Sequence, residues 1–284
     1  DMLGVTRRLW THASVPAEAG VTAAERMPIN WYNPDRKVRE GDLHPELSGQ
    51  EADDITAGIL SVGLRRSDAV QMLVDIGTNG EIAIGNRDWT IACSSSAGPA
   101  FEGAGVRNGM KAMHGAIERV EIGPGDAVHF RTVGGTPPRG ICGSGLIDLV
   151  AGLRAAGFID RSGHLVPGST RRIRESDGAL EFVLVPDSRS ETGKDIVVTQ
   201  ADLSNLLSAK AAIYSGMQVL ARAIGLDFRQ VERVYIAGGF GNYLDREKAI
   251  AIGLIPDLPT EKIKFVGNTS IHGADLGLLS VDAW

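Results

Sequence analysis

Residues 73–85, LVDIGTNGEIAIG, decide the fold class of this chain. Two apolar runs flank a short polar turn, which predicts two strands joined as a hairpin. The pair Asn79-Gly80 predicts a type I′ turn with a positive φ at both residues. Asp75 ends the first strand directly before the turn, and a carboxylate in that place is a typical ligand of Mg²⁺. Its alternative role is to accept hydrogen bonds from the N–H groups of its own turn.

A second glycine-rich turn, GICGSG at 140–145, opens into a predicted helix that extends to about residue 158. Ser144 is the expected helix cap, and the residues after it have an apolar face at helical spacing. The N–H groups of Gly143, Ser144 and Gly145 would lie at the positive end of this helix. That arrangement favours the binding of an anion.

A third turn follows the predicted strand 233–237 and reads GGFG, which is Gly238, Gly239, Phe240 and Gly241. Glycines at a strand end allow a flat ring to lie on the backbone, because no Cβ is in the way. In an open α/β sheet, ligands bind beyond the carboxyl ends of the strands. The three turns together therefore predict a nucleotide site on an α/β scaffold.

The remaining pattern divides the chain into an irregular segment, 1–54, and an α/β region, 55–284. The first segment has many charges and one predicted short helix at about 16–27. A region of helix and weaker strands at about 158–225 is predicted as an insertion. Its long helix begins at a capping box of Thr199 and Asp202, and Asp245 is predicted to cap a later short helix.

The composition of the chain argues against several classes of protein. The 284 residues carry a formal charge of −6, and aromatic residues make up 5%. Neither value is typical of a nucleic-acid-binding surface, so we expect no nucleic-acid partner. No apolar run is long enough to span a membrane, and the first residues do not resemble a signal peptide. Two cysteines, Cys93 and Cys142, suit a reducing setting, so we expect a cytoplasmic protein.

The turns, in this order, resemble the second half of the actin-like ATPases. That resemblance implies an actin-like, ribonuclease-H-like ATPase fold, with a mixed sheet and flanking helices. The segments DITAGIL, NRDWTIACSSSAGPAFEGAGVRNGM, RGICGSGLIDLV, VYIAGGFGNYLD and VGNTS are more specific. Together with DIGTNGE, they resemble the C-terminal ATPase domain of reductive activators of corrinoid proteins over about residues 52–280.

The resemblance implies a function. Members of that family use ATP to drive the reduction of a Co(II) corrinoid to the Co(I) methyl acceptor. The implied partners are a corrinoid protein and its methyltransferase system, and a homodimer is possible. The implied cofactors are ATP and Mg²⁺, and the electron comes from a [2Fe–2S] cluster in a separate domain.

Residue roles carried over by motif form three groups. Asp75 is the expected metal ligand and a catalytic residue. Glu102 is a second catalytic candidate, considered from the residues alone: it would orient a water or the metal, or else cap the following helix. Phosphate contacts are implied for Gly77, Thr78, Asn79 and Gly80. Adenosine contacts are implied for Gly238, Gly239, Phe240 and Gly241, and a place in the cleft wall for Gly143, Ser144 and Gly145.

The chain departs from the family pattern, because it has one phosphate hairpin of this type and too few cysteines for a cluster of its own. It therefore resembles half of a nucleotide site. One alternative function is a non-catalytic docking module for a corrinoid protein or methyltransferase. A second is an activator of a 2-hydroxyacyl-CoA dehydratase, in which Cys142 and Cys93 would share a bridging [4Fe–4S] cluster. A sugar or acetate kinase is a third.

Overall fold

The computed structural model describes residues 12–13, 29–32, 49–239 and 244–279, with side chains from Asp54 onward. The helix predicted at 16–27, Phe240 and Gly241 lie outside the described residues. The chain divides into two compact units. The first contains Asp1–Ser96, Ala212–Asn242 and Pro256–Trp284, and the second contains Ala97–Ala211 and Tyr243–Ile255.

The described strands are β1 His12–Ala13, β2 Ile29–Tyr32, β3 Gln71–Ile76, β4 Gly80–Gly85, β5 Thr90–Ser95, β6 Ala116–Ile122, β7 Val128–Thr132, β8 Gly140–Ile141, β9 Ile173–Ser176, β10 Ala179–Val185, β11 Ile196–Thr199, β12 Arg233–Ala237 and β13 Ile263–Gly267. The described α-helices are α1 Gly49–Val62, α2 Gly143–Ala155, α3 Gln200–Ala223, α4 Arg246–Ala251 and α5 Thr269–Leu279. None of them is both long and apolar enough to cross a membrane.

The first unit is built on a mixed seven-stranded sheet in the order β1-β2-β5-β4-β3-β12-β13. Strands β3, β12 and β13 are parallel neighbours, whereas β4, β5 and β2 add on antiparallel to the other side of β3. Such a sheet of parallel and antiparallel strands with flanking helices was predicted from the sequence, and the structure confirms it.

Each face of this sheet is covered by a helix. Helix α1 packs on one face, where Ile55 and Ile59 belong to one core cluster. The other members are Leu64 of the short 3-10 helix Leu64–Arg66, and Leu73, Ala83, Tyr235 and Ala237 of the sheet. The second half of α3 covers the opposite face, because Ile213 lies against Gly80 and the Cys93 thiol donates to the carbonyl of Gly216 at 3.9 Å. Leu73 and Ala83 are fully buried.

Helices α1 and α5 approach closely at two glycines. A Cβ built on Gly273 of α5 would lie 1.9 Å from the carbonyl oxygen of Ala57, and one on Gly58 of α1 would lie 2.8 Å from a methyl group of Leu73. Real Cβ atoms do not approach a backbone carbonyl so closely, so the contact between backbones requires glycine at Gly273, whereas Gly58 faces the side chains of Leu73 and Thr269.

The second unit contains two three-stranded sheets, in the orders β11-β10-β9 and β7-β6-β8. Helix α2 packs on β6, and nine of its residues are buried. Asp148 of α2 is 1% exposed and accepts a hydrogen bond from the N–H of Val120 at 3.1 Å. The ammonium of Lys248, on α4, lies 3.0 Å from the same carboxylate oxygen, so an ion pair between a half-buried lysine and a buried aspartate joins α4 to α2.

Two of the helix-start predictions are confirmed and one is wrong. Thr199 and Asp202 donate backbone N–H groups to each other's side chains, and the Asp245 side chain accepts from the N–H of Lys248. Ser144, by contrast, is the second residue inside α2, and Cys142 precedes the helix without a side-chain cap. Ser144 is buried near the Cys142 thiol, at 3.5 Å, so its hydroxyl does not serve the helix start.

Candidate functional site

The first unit brings two of the three glycine-rich turns to the same edge of its sheet. Strands β3 and β12 are parallel neighbours in which Asp75 is paired with Ala237, so both strands end side by side. The turn at 77–79 follows β3, and Gly238 follows β12. A ligand site beyond the carboxyl ends of these strands is the arrangement expected of an open α/β sheet.

The turn after β3 differs from the predicted geometry. Ile76 pairs with Gly80, so the loop has three residues, Gly77, Thr78 and Asn79, and the Gly77 N–H donates to the Asn79 carbonyl at 2.9 Å. Neither Asn79 nor Gly80 has a positive φ, so the type I′ prediction was wrong. The reason is that Gly80 already belongs to β4, where it pairs with Ile76 and Ser95 and lies against Ile213.

Asp75 is a partly buried carboxylate that accepts a hydrogen bond from a residue of α5. Thr269, the first residue of α5, donates its hydroxyl to Asp75 Oδ2 at 3.1 Å. Burial raises the pKa of Asp75 to about 6, the hydrogen bond from Thr269 acts to lower it, and the charge of Asp54 raises it further. Asp75 therefore keeps its proton to a higher pH than an ordinary aspartate does.

Asp75 belongs to a row of polar side chains on one face of the sheet. Glu81 is paired directly with Asp75 across β3 and β4, and Ser94 is paired with Glu81 across β4 and β5. Paired residues project from the same face, and Ser94 Oγ lies 3.5 Å from Glu81 Oε1. The sequence reasoning missed Glu81. The sequence contained the information, because residues at equal distances from a hairpin turn pair across the two strands, and Asp75 and Glu81 are such a pair.

Gly238 and Gly239 have different surroundings. Gly238 has φ 120°, and a Cβ there would lie 2.3 Å from the carbonyl oxygen of Ile76; its N–H donates to the Gly267 carbonyl at 3.0 Å. Gly238 is therefore required by the fold itself. Gly239 is exposed, and a Cβ built on it meets no atom of the described residues within 4 Å. Space beside Gly239 is thus open to a ligand.

The second glycine-rich turn, GICGSG at 140–145, and Glu102 lie in the second unit. Glu102 is exposed and ends a short 3-10 helix, Pro99–Glu102, so it does not cap a following helix. Gly143 and Gly145 are buried, and added Cβ atoms would lie 2.0 Å from the Phe101 carbonyl and 2.2 Å from the Ile117 carbonyl. Close backbone packing is therefore sufficient to explain both glycines, while their place in a ligand site stays a prediction.

Both cysteines are buried thiols. The Cys142 thiol donates to the Ile117 carbonyl at 3.3 Å, and the Cys93 thiol to the Gly216 carbonyl. Burial, and in smaller part the charge of Glu81, raises the pKa of Cys93 to about 12. A metal cluster binds thiolates, so Cys93 is poorly suited to the bridging cluster of a dehydratase activator.

The donor set at the Asp75 edge fits a magnesium ion that arrives with a nucleotide. No group of three or more histidine, cysteine and acidic residues surrounds a common point in the described part of the chain. Mg²⁺ is commonly bound by one or two carboxylates, with waters and substrate phosphates as the other ligands. One partly buried carboxylate beside a turn of small residues matches that pattern.

Comparison with known proteins agrees with this geometry. Residues 69–284 match the family model described as the C-terminal domain of RACo, the ASKHA domain. The chain is 38% identical over 244 residues to the corrinoid activation enzyme RamQ of Eubacterium limosum, covering 83% of this chain and 41% of RamQ. It is 27% identical over 248 residues to the [Co(II) methylated amine-specific corrinoid protein] reductase of Methanosarcina barkeri, covering 80% of this chain and 42% of that protein.

A solved structure, the reductive activator for corrinoid,iron-sulfur protein, is 52% identical with a TM-score of 0.78, and the match covers 81% of this chain and 37% of that one. The chain therefore spans about two fifths of the length of the relatives that it matches. The fold, the Asp75 edge and the match over residues 69–284 lead to one conclusion: this chain belongs to the family of the C-terminal ASKHA domain of RACo, with an actin-like α/β fold.

Proposed function

We propose that this chain is the nucleotide-binding part of a reductive activator of corrinoid proteins. In this proposal, ATP drives the reduction of a Co(II) corrinoid to Co(I), the state that accepts a methyl group. The observation that carries it is the position of Asp75, a carboxylate at the carboxyl end of β3 beside the small turn at 77–79. The names of the relatives, two of them corrinoid activators and one a Co(II) corrinoid reductase, support the substrate.

The proposed roles follow the geometry of the first unit. Asp75 holds the magnesium ion of MgATP, directly or through water, and Glu81 adds negative charge on the same face of the sheet. Gly77, Thr78, Asn79 and Gly80 contact the phosphates, where Mg²⁺ neutralises charge when it is bound. Gly239 and the residues after it receive the adenosine.

The second unit contributes further proposed groups. Glu102 is proposed to orient a water or the metal, as a catalytic residue. Gly143, Ser144 and Gly145 are proposed to line the nucleotide cleft at the start of α2, where the helix dipole favours an anion.

The redox step requires one electron from outside this chain. We propose that a [2Fe–2S] cluster in a separate domain is oxidised by one electron while the Co(II) corrinoid is reduced to Co(I). Hydrolysis of ATP to ADP and phosphate supplies free energy through the different affinities of nucleotide and product for two states of the complex. The proposed partners are a corrinoid protein and its methyltransferase system, with a homodimer as a possible assembly.

Titration calorimetry of the 284-residue chain with ATP tests the nucleotide site. We expect binding in magnesium, and weaker binding when EDTA replaces magnesium. Asp75→Ala should remove the difference between the two conditions while the circular dichroism spectrum is unchanged. Equal affinity of Asp75→Ala and the wild type in magnesium would remove Asp75 from the site.

Gly239→Val tests the adenosine contact at a position where an added Cβ meets none of the described residues within 4 Å. We expect Gly239→Val to bind ATP more weakly than the wild type does. Its affinity for inorganic pyrophosphate should equal that of the wild type. If the well-folded wild type binds no nucleotide in any condition, a docking module for the corrinoid protein or methyltransferase becomes the better account.

A further inference from the structure

We infer that Thr269 is a positioning residue, whose hydroxyl fixes the Asp75 carboxylate in the orientation that a magnesium nucleotide requires. The inference rests on the proposed role of Asp75. Its direct support is the hydrogen bond from Thr269 Oγ1 to Asp75 Oδ2 at 3.1 Å, made by a threonine with no exposed surface. The two residues are 194 positions apart in sequence, so only the fold brings them together.

The contact between α1 and α5 sets the position of the Thr269 hydroxyl. A Cβ built on Gly58 of α1 would lie 3.2 Å from Thr269 Oγ1. Gly273 follows Thr269 by four residues, so both face α1, and Gly273 lies against the Ala57 carbonyl. Because the backbone contact at Gly273 fixes α5 on α1 and Gly58 lies beside the hydroxyl, the hydroxyl has little freedom to move away from Asp75.

Asp75 needs such a partner because its neighbours carry the same charge. Glu81 projects from the same face of the sheet in the adjacent strand, and Asp54 on α1 acts on Asp75 through its charge. Repulsion between ionised carboxylates would turn Asp75 away from them. The uncharged Thr269 hydroxyl donates a hydrogen bond to Oδ2 of Asp75, and this leaves Oδ1 of Asp75 to bind a water or a cation.

A purely structural role for Thr269 makes a different prediction. If the hydroxyl only fills a buried space, its removal lowers the stability and leaves the affinity for MgATP unchanged. If it positions Asp75, its removal weakens binding in magnesium specifically, since ATP without magnesium does not use the carboxylate. Restoring the hydroxyl alone then restores binding.

The test compares Thr269→Val, which keeps the shape and removes the hydroxyl, with Thr269→Ser, which keeps the hydroxyl. Residues that hold a metal ligand in place typically contribute roughly 10- to 100-fold to metal affinity, and we expect Thr269→Val to lose MgATP affinity in that range. Its affinity for ATP in EDTA should equal that of the wild type. Thr269→Ser should bind MgATP as the wild type does.

Crystal structures of both variants separate this inference from the proposed function. We expect the Asp75 side chain to change rotamer in Thr269→Val and to keep it in Thr269→Ser. An unchanged rotamer in Thr269→Val, or unchanged MgATP affinity, overturns the inference. If the wild type binds no nucleotide, the proposed function fails, whereas the two rotamers still decide the role of Thr269. Thr269→Ala replaces Thr269→Val if the latter does not fold.

Discussion

Burial of Asp75 makes the stability of the ligand-free protein depend on pH. The pKa of Asp75 is raised from 3.8 to about 6 in the folded chain, so the folded state favours the protonated form. A group with a raised folded pKa contributes its full stabilisation below its unfolded pKa, and loses it as the pH rises through the folded value. The free-energy cost of burying the ionised Asp75 carboxylate is therefore small at pH 4, and it reaches its full value above about pH 6.

We expect Asp75→Asn to be more stable than the wild type at neutral pH in EDTA. Asn has no charge to bury and still accepts the Thr269 hydroxyl. The free energy of unfolding should rise by about 1–3 kcal/mol at pH 7.5, and the gain should disappear near pH 4. Urea unfolding at the two pH values measures this gain. A difference that is the same at both values would contradict the assignment to Asp75.

Single residues of the site were predictable where the signal is local in sequence. Asp75 was found because a carboxylate near a strand end, two residues before Gly77, is visible in the sequence itself. Thr269 was not, since its role depends on a hydrogen bond between residues far apart along the chain. Glu81 was visible as a strand residue, but its pairing with Asp75 required the register of the hairpin, and the predicted turn was wrong.

At the scale of elements, the contact between α1 and α5 depends on the absence of side chains. Gly273 would place a Cβ 1.9 Å from the Ala57 carbonyl, and neither backbone can yield locally without moving its helix. The gain of about 1 kcal/mol that Ala usually brings over Gly in a helix is therefore exceeded by the clash.

We expect Gly273→Ala to lower the free energy of unfolding by about 1–3 kcal/mol, in spite of the better helix propensity of Ala. Thermal unfolding followed by circular dichroism measures the loss. Ala274→Ser, at the exposed neighbouring position, is the matched control and should change stability by less than about 0.5 kcal/mol. A more stable Gly273→Ala would show that α5 does not pack on α1 as described.

The elements themselves were predictable to a large extent. The strands and the long helix have strong periodicity, and the caps formed by Thr199, Asp202 and Asp245 are contacts within three residues. Helix α1 begins at Gly49, inside the segment 1–54 that was predicted to be irregular, because the polar residues in front of Ile55 give no periodic signal. Ser144 misled the prediction, since tertiary packing rather than capping decides its place.

At the scale of the whole molecule, the two units are interleaved in sequence. Each unit is assembled from segments that are distant along the chain. The structure divides at other residues than the sequence-based division into 1–54 and 55–284, which stays a prediction. No sequence pattern marks where the chain leaves one unit for the other. Helix α3 contributes residues 200–211 to the second unit and 212–223 to the first.

The ion pair between Lys248 and Asp148 leads to a prediction about the stability of the second unit. Asp148 is 1% exposed, so Lys248→Met leaves its carboxylate buried with less compensation. We expect a loss of about 3 kcal/mol in the free energy of unfolding. The four tryptophans are at positions 10, 31, 89 and 284, all outside the second unit, so that unit contains no tryptophan of its own to report on its unfolding.

Hydrogen exchange followed by mass spectrometry is the suitable measurement. Peptides from α2 and β6 should lose protection in Lys248→Met. Arg154→Met, a change at an exposed position of the same helix α2, should leave their protection unchanged. Equal protection in Lys248→Met and in the wild type would mean that the pair does not stabilise the unit.

The glycine contact between α1 and α5 also has a genetic consequence. Every single-base change of a glycine codon that alters the amino acid introduces a residue with a Cβ. At Gly58 and Gly273 each such change meets a neighbouring atom, and at Gly273 that atom is backbone and cannot rotate away. We therefore expect random mutagenesis to yield almost no functional missense alleles at Gly273, while Ala274 beside it, with its side chain in solvent, accepts many.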